Sequence, residues 1–94
     1  MSDAPQDDPL ASFLHQVVVL DTQGPLIYIG TLAAFTPNYL RLRDADVHDS
    51  NDSRASKELY LIDTRDLGVR VNRVEVLVGR SMVISISLLK DVRD

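Results

Sequence analysis

The sequence predicts a small all-β domain, a strongly bent antiparallel barrel of five strands with a short N-terminal helix and one inserted helix. Three observations lead to this prediction. The chain has 94 residues, the length of one domain. Short apolar segments rich in β-branched residues alternate with tight turns along most of it. A segment with helical spacing of its apolar residues, residues 53–67, interrupts that series.

The first expected elements are a short helix and two strands. Asp8 and Pro9 can start the helix, with Asp8 as its N-cap and Pro9 at the first helical position. Strands are expected at residues 16–22 and 26–36. Gly30 interrupts the second of these strands, and a glycine inside a strand often marks a bend or a close approach of another backbone. We therefore expect the longest strand to bend sharply at Gly30.

The later elements are the inserted helix and three more strands. The helix is expected over residues 53–67, with Asp52 or Ser53 as its N-cap and Gly68 as its C-cap glycine. The segment that precedes it alternates leucine with arginine, which is typical of a half-buried strand. The remaining strands are expected at residues 39–46, 74–78 and 82–88.

Composition and charge limit the classes of function. The absence of cysteine excludes a disulfide scaffold, a thiolate zinc site and a cysteine nucleophile. The net charge is −4, but three of the 14 acids lie in residues 1–9, which we expect to be a disordered acidic tail. Residues 10–90 are expected to form the domain, and residues 91–94 a frayed end. Beyond residue 9 the chain has 11 acids and 10 bases, so net charge alone does not exclude an anionic ligand.

The sequence indicates neither a membrane protein nor an enzyme. No segment approaches the ~18 apolar residues that a membrane-spanning helix needs. The acidic start of the chain lacks the apolar region of a signal peptide, so a cytoplasmic protein is expected. We find no nucleophile elbow, glycine-rich phosphate loop or metalloprotease motif. No enzymatic activity and no cofactor are therefore expected.

Two motifs combine apolar segments with particular turn residues. An apolar strand and a turn glycine lead into Gly30-Thr31-Leu32, and Leu40 and Leu42 alternate in the next strand. Arg80-Ser81 lies between the last two apolar segments. This pattern resembles the two motifs of the Sm-like (LSm) superfamily, and the chain looks like a divergent bacterial-type member. The resemblance covers residues 10–45 and 74–88, and residues 47–73 stand as a helical insertion between strands three and four.

The resemblance implies an Sm-like (SH3-like) barrel that assembles into a homo-oligomeric ring. In that family, strand four of one subunit pairs with strand five of the next. Open apolar edges at these strands would also favour aggregation unless a neighbour covers them. The residues expected at this interface are Val74, Val76, Val78, Val83, Ile84 and Ile86.

The resemblance also implies single-stranded RNA as the partner, and neither DNA nor a membrane is expected. Asn38 and Tyr39 precede strand three, and Arg80 and Ser81 precede strand five, in turns that face the pore of an Sm-like ring. A tyrosine can stack on a base, an amide can read its edge and an arginine can bind phosphate. Asn38 is also a common turn residue, and Tyr39 could lie in the core, so neither residue requires an RNA ligand. The alternative is an oligomeric scaffold or protein-interaction ring without RNA binding.

An acidic run after strand three suggests two further hypotheses. With the period of two along a strand, Asp44, Asp46 and His48 would share one face and could bind a divalent cation or a small ligand. The simpler interpretation is a solvated strand end. The second hypothesis is a polar network between two groups of side chains. Its donors would be Arg70, Asn72 and Arg73, and its acceptors would be Asp44, Asp46 and Asp49.

Overall fold

The fold is one antiparallel sheet, given by a computed structural model that describes residues 7–52 and 56–94. The strands are β1 (Val17–Thr22), β2 (Leu26–Phe35), β3 (Tyr39–Asp49), β4 (Arg73–Gly79) and β5 (Val83–Leu88). Their order in the sheet is β4-β3-β2-β1-β5. The predicted five-stranded, all-β architecture with one inserted helix is confirmed.

Among the described residues, the helical elements are one α-helix and several single turns. Helix α1 spans Lys57–Leu67, and a 3-10 helix at Pro9–Phe13 precedes the sheet. As predicted, Asp8 caps that 3-10 helix, and its carboxylate accepts a hydrogen bond from the backbone N–H of Leu10 at 3.0 Å. In the described part of the chain, no helix combines the length and the apolar content that crossing a membrane requires.

A β-bulge opposite Gly30 changes which side of β3 faces inward. Ile29 pairs with Asp46 and Thr31 with Arg43, so β3 contains one residue more than β2 between these pairs. Asp44 takes up the extra length with a φ of 51°, a left-handed conformation that aspartate tolerates better than most residues. Beyond the bulge the alternation of β3 is reversed. The prediction that Asp44, Asp46 and His48 share one face is therefore wrong, because it assumed an uninterrupted period of two.

The sheet is covered on both sides. One side holds the first core, which contains Leu10 of the N-terminal 3-10 helix together with Leu20, Leu32, Leu42 and Val78. The other side carries a second core where α1 and the C-terminal turn Leu89–Asp91 pack on β1 and β2. The buried members of the second core are Val19, Ile27, Ile29, Leu61 and Leu89. The insertion is therefore a covering layer and not a solvent loop.

The caps of α1 are partly as predicted. Gly68 ends the helix with a φ of 102°, and its N–H donates to the carbonyl of Thr64 at 2.9 Å. The N-cap is Ser56, whose hydroxyl accepts from the N–H of Leu59 at 3.2 Å. The assignment of the N-cap to Asp52 is wrong, because Asp52 belongs to a separate 3-10 turn at Ser50–Asp52. The alternative cap Ser53 lies outside the described residues.

The C-terminal residues are held by α1. Val92 packs against the second core, and its carbonyl accepts a hydrogen bond from Arg65. The guanidinium of Arg65 also pairs with Asp94 at 2.8 Å. The end of the chain thus contacts α1, and the fraying of residues 91–94 stays a prediction. Residues 1–6 of the expected N-terminal tail lie outside the described residues, and Asp7 to Pro9 are part of the fold.

Candidate functional site

Two turns meet at one end of the sheet and form the candidate site. In the turn before β3, the hydroxyl of Thr36 accepts hydrogen bonds from the N–H groups of Asn38 and Tyr39 at 3.1 and 3.0 Å. The second turn is the 3-10 helix Arg80–Met82 between β4 and β5. The N–H of Arg80 donates to the carbonyl of Asn38 at 2.8 Å, so the backbone itself joins the turns.

The predicted RNA-contact residues come together here. The side chain of Tyr39 is 51% exposed, which excludes the alternative that it belongs to the core. Asn38 and Ser81 are also exposed, one in each turn. Arg80 is half-buried beside them. The structure thus places an exposed aromatic ring, an amide and a guanidinium on one surface.

The guanidinium of Arg80 is already engaged by three groups. One amino group donates to the carbonyl of Thr36 at 3.1 Å, and the other donates to the carboxylate of Asp8 at 2.8 Å. Its carbon lies 5.8 Å from the centroid of the Phe35 ring, within the range of a cation–π interaction. Arg80 is therefore both oriented and neutralised within the chain.

Asp8 is the acid that neutralises Arg80, and it lies 72 residues away in sequence. The hydrogen bond from Arg80, followed by the one from the N–H of Leu10, holds the pKa of the Asp8 carboxyl below its usual value. A single oxygen of Asp8 accepts both bonds. The acidic run at residues 44–52 makes no ion pair with Arg80 among the described residues.

The acidic run instead anchors the insertion. Asp46 is 2% exposed, and its carboxylate accepts hydrogen bonds from the hydroxyl of Tyr60 and from the amide of Asn72. Burial, reinforced by the bond to Asp46, raises the pKa of Tyr60 to about 12. The ring of His48 stacks on that of Tyr60, with centroids 3.7 Å apart. Asp46 is thus part of the packing between β3 and α1.

The two hypotheses about this run have different outcomes. Within residues 7–52 and 56–94, no three histidine, aspartate or glutamate side chains are grouped as a metal ion would need, so the metal site at Asp44, Asp46 and His48 is wrong. The polar network exists in a reduced form, because Asn72 pairs with Asp46. Arg70 and Arg73 form no ion pair with the aspartates of the run in the described structure.

The candidate interface residues lie on the two open edges of the sheet. β4 and β5 each have one strand partner in the described chain, so each leaves one side unpaired. Val74 on β4 is 81% exposed and Ile84 on β5 is 66% exposed. The other four face the first core: Val76, Val83 and Ile86 are half-buried, and Val78 is buried.

Sequence reasoning missed three residue roles, two at the joined turns and one between β3 and α1. Thr36 shapes the first turn, Asp8 neutralises Arg80 and Tyr60 binds Asp46. Thr36 carries a local signal, because a threonine two residues before an exposed Asn commonly bonds the backbone ahead of it. The other two bonds join residues 72 and 14 positions apart, and no sequence pattern marks them.

Comparisons with known proteins give a match in structure alone. No protein-family model matches the chain. No curated protein matches it either. Among solved structures, it is similar to the Sm protein of Pyrococcus abyssii in complex with a uridine heptamer, with a TM-score of 0.60 and 16% identity. The match covers 92% of this chain and 99% of the other. The chain therefore has the Sm-like fold.

Proposed function

We propose that this chain is a subunit of a homo-oligomeric ring that binds single-stranded RNA through the two joined turns. The observation that carries the proposal is the bond between the N–H of Arg80 and the carbonyl of Asn38, because it joins the turn that contains Arg80 to the turn that contains the exposed Tyr39. An exposed aromatic ring is a platform for a base, and a nearby guanidinium is a partner for the adjoining phosphate.

The fold gives independent support. The Sm protein that this chain resembles was solved with a uridine heptamer, which makes oligouridine the first ligand to test. The open edges at β4 and β5 support the ring, because exposed Val74 and Ile84 would pair with a neighbour and leave no edge in solvent. Ring closure would bring several copies of the joined turns together, and several weak contacts along one strand of RNA add to its affinity.

Fluorescence anisotropy with labelled uridine and adenosine heptamers tests the RNA proposal. We expect binding to weaken as salt rises, and Tyr39→Ala to weaken it tenfold or more, since stacking contributes about 1–3 kcal/mol per base. Arg80→Ala should reduce both the affinity and the salt dependence. Arg93→Ala is the matched control, because it removes an exposed arginine distant in sequence from both turns. No binding at tens of micromolar, or equal losses in all three variants, would contradict the proposal.

A scaffold that binds another protein is the second candidate function. One observation favours it: α1 exposes Leu59 (54%) and Leu67 (75%), with Glu58 and Asp63 also on its exposed surface. Exposed leucines interspersed with acids repel phosphate and suit a basic protein segment with apolar side chains. If no heptamer binds while the oligomer persists, this candidate replaces the first.

A further inference from the structure

The contact between Asp8 and Arg80 occupies the position that an RNA phosphate would need. Arg80 donates from one amino group to the carbonyl of Thr36 and from the other to the carboxylate of Asp8, and its side chain is only 28% exposed. Carboxylate and phosphate oxygens bind a guanidinium fork in the same way. A phosphate that binds the N–H that Arg80 donates to Asp8 therefore competes with Asp8 for it.

The surroundings of Asp8 suit a reversible contact. The Asp8 side chain is itself partly exposed, at 26%, and it precedes a 3-10 helix of five residues, so its release disturbs little structure. Leu10, two residues later, is buried in the first core and keeps Asp8 close to Arg80. A tethered acid of this kind has a high effective concentration and competes well with a free anion.

We propose that Asp8 is an autoinhibitory group that covers Arg80 and is displaced by the RNA backbone. The proposal rests on the function proposed above. The N-terminal segment then has a regulatory role, because the contact of Asp8 with Arg80 lowers the affinity of the joined turns for RNA. RNA that can offer several phosphates at once displaces several copies of Asp8 in a ring, whereas a single free phosphate competes poorly with the tethered carboxylate.

Asp8→Asn tests the inference while preserving the start of the 3-10 helix, because asparagine caps helices as well as aspartate does. We expect this variant to bind the uridine heptamer three- to tenfold more tightly than the unaltered chain. Asp7→Asn removes the same charge one residue earlier, at an exposed position, and should change the affinity less than twofold. In the Arg80→Ala background, Asp8→Asn should have no further effect, since its target is gone.

Hydrogen exchange gives a second readout in the unaltered chain. The N–H of Leu10 donates to the oxygen of Asp8 that also binds Arg80. If RNA displaces Asp8, exchange at Leu10 should become faster when the uridine heptamer is added. Any measurable folding defect of Asp8→Asn leaves this measurement intact.

The outcomes separate the inference from the proposed function. If the heptamer binds the unaltered chain and both aspartate variants equally, with exchange at Leu10 unchanged, Asp8 does not compete and only the inference fails. If neither the unaltered chain nor Asp8→Asn binds the heptamer at tens of micromolar, both the proposed RNA function and the inference are wrong. Equal gains in Asp7→Asn and Asp8→Asn would show a general charge effect and would also overturn the inference.

Discussion

At the scale of single residues, Gly30 and Asp44 decide which side of β3 is buried. A Cβ atom placed on Gly30 would lie 3.0 Å from the Cα and Cβ atoms of Ala45 and from the carbonyl oxygen of Arg43. Only a residue without a side chain lets β3 pass this closely. The bulge then turns Asp46 toward α1, and the insertion can dock on the side of the sheet that carries the second core.

Gly30→Ala should therefore be strongly destabilising. Two of the three close atoms belong to backbone that is paired in the sheet, and forcing extra atoms into a packed site costs about 1–3 kcal/mol. Urea unfolding measures the loss. Gly24→Ala is the matched control, because nothing lies within 4 Å of a Cβ at Gly24, and its effect should stay within about 0.5 kcal/mol. Equal effects at the two glycines would contradict the close packing at Gly30.

Tyr60→Phe should lower the free energy of unfolding by about 1–3 kcal/mol, because it leaves the buried carboxylate of Asp46 without one of its donors. The ring that stacks on His48 is retained. Tyr39→Phe, at an exposed hydroxyl, is the control and should have little effect. Thermal or urea unfolding at neutral pH makes the comparison.

The raised pKa of Tyr60 predicts a pH dependence in the alkaline range. The folded state holds the Tyr60 proton up to about pH 12, whereas the unfolded chain releases it near the usual value of 10.0. This contribution to stability is therefore complete below pH 10 and is lost as the pH rises toward 12. The difference between the unaltered chain and Tyr60→Phe in urea unfolding should shrink over that interval. If the difference in unfolding free energy does not vary with pH, the pKa of Tyr60 is not raised by folding.

Single residues were also where sequence reasoning was least complete. The turn at Asn38, the cap at Asp8 and the special role of Gly30 follow from local chemistry and were predicted, whereas the sequence left open whether Tyr39 lies in the core. The bond from Arg80 to Asp8 and the burial of Asp46 depend on which distant elements meet. The one-residue bulge at Asp44 was not visible either, and it separates Asp44 from Asp46 and His48, which both contact Tyr60.

At the scale of elements, α1 is the part that distinguishes this chain from a bare five-stranded barrel. The helix is tied at its start by an ion pair of 3.0 Å between Lys57 and Asp21, in its middle by Leu61 and Tyr60, and at its end by Arg65. The sequence predicted the existence and the end of this helix, because Gly68 is a strong local signal. Its start was placed too early, because several capping residues precede Lys57 in sequence.

Ser56→Ala should destabilise α1. It removes the hydroxyl that accepts from the N–H of Leu59, and losing such a cap costs about 0.5–2 kcal/mol. Hydrogen exchange of the α1 amides measures the effect locally. Asp52→Ala, at the residue that the sequence suggested as the cap, should leave exchange in α1 unchanged. The reverse result would mean that the helix starts earlier than Lys57.

At the scale of the whole molecule, the sheet has two edges of unlike sequence. β4 and β5 are neighbours along the chain, joined by the turn Arg80–Met82, yet they stand at opposite ends of the strand order. The sheet must therefore curl until its ends approach. The overall fold class was the most predictable property, because it follows from the spacing of apolar segments and turns.

Ile84→Lys should dissociate the proposed oligomer. The substitution places a charge on an exposed residue of the β5 edge. Charged side chains on edge strands prevent pairing between molecules. Light scattering should give a large mass for the unaltered chain and about 10.5 kDa for the variant. Leu59→Lys, on α1, is the control and should keep the large mass. A monomeric unaltered chain would remove the ring from the proposed function.

The unlike edges also give each molecule a polarity, as in a head-to-tail polymer. In the proposed ring, a contact between β4 of one subunit and β5 of the next would be heterologous, so growth would continue until the chain of subunits closes on itself. A subunit altered only at β5 still offers an intact β4 to the next molecule. Mixed with the unaltered chain, it would act as a chain terminator: a minority of such subunits would prevent closure for the majority, and the defect would be dominant.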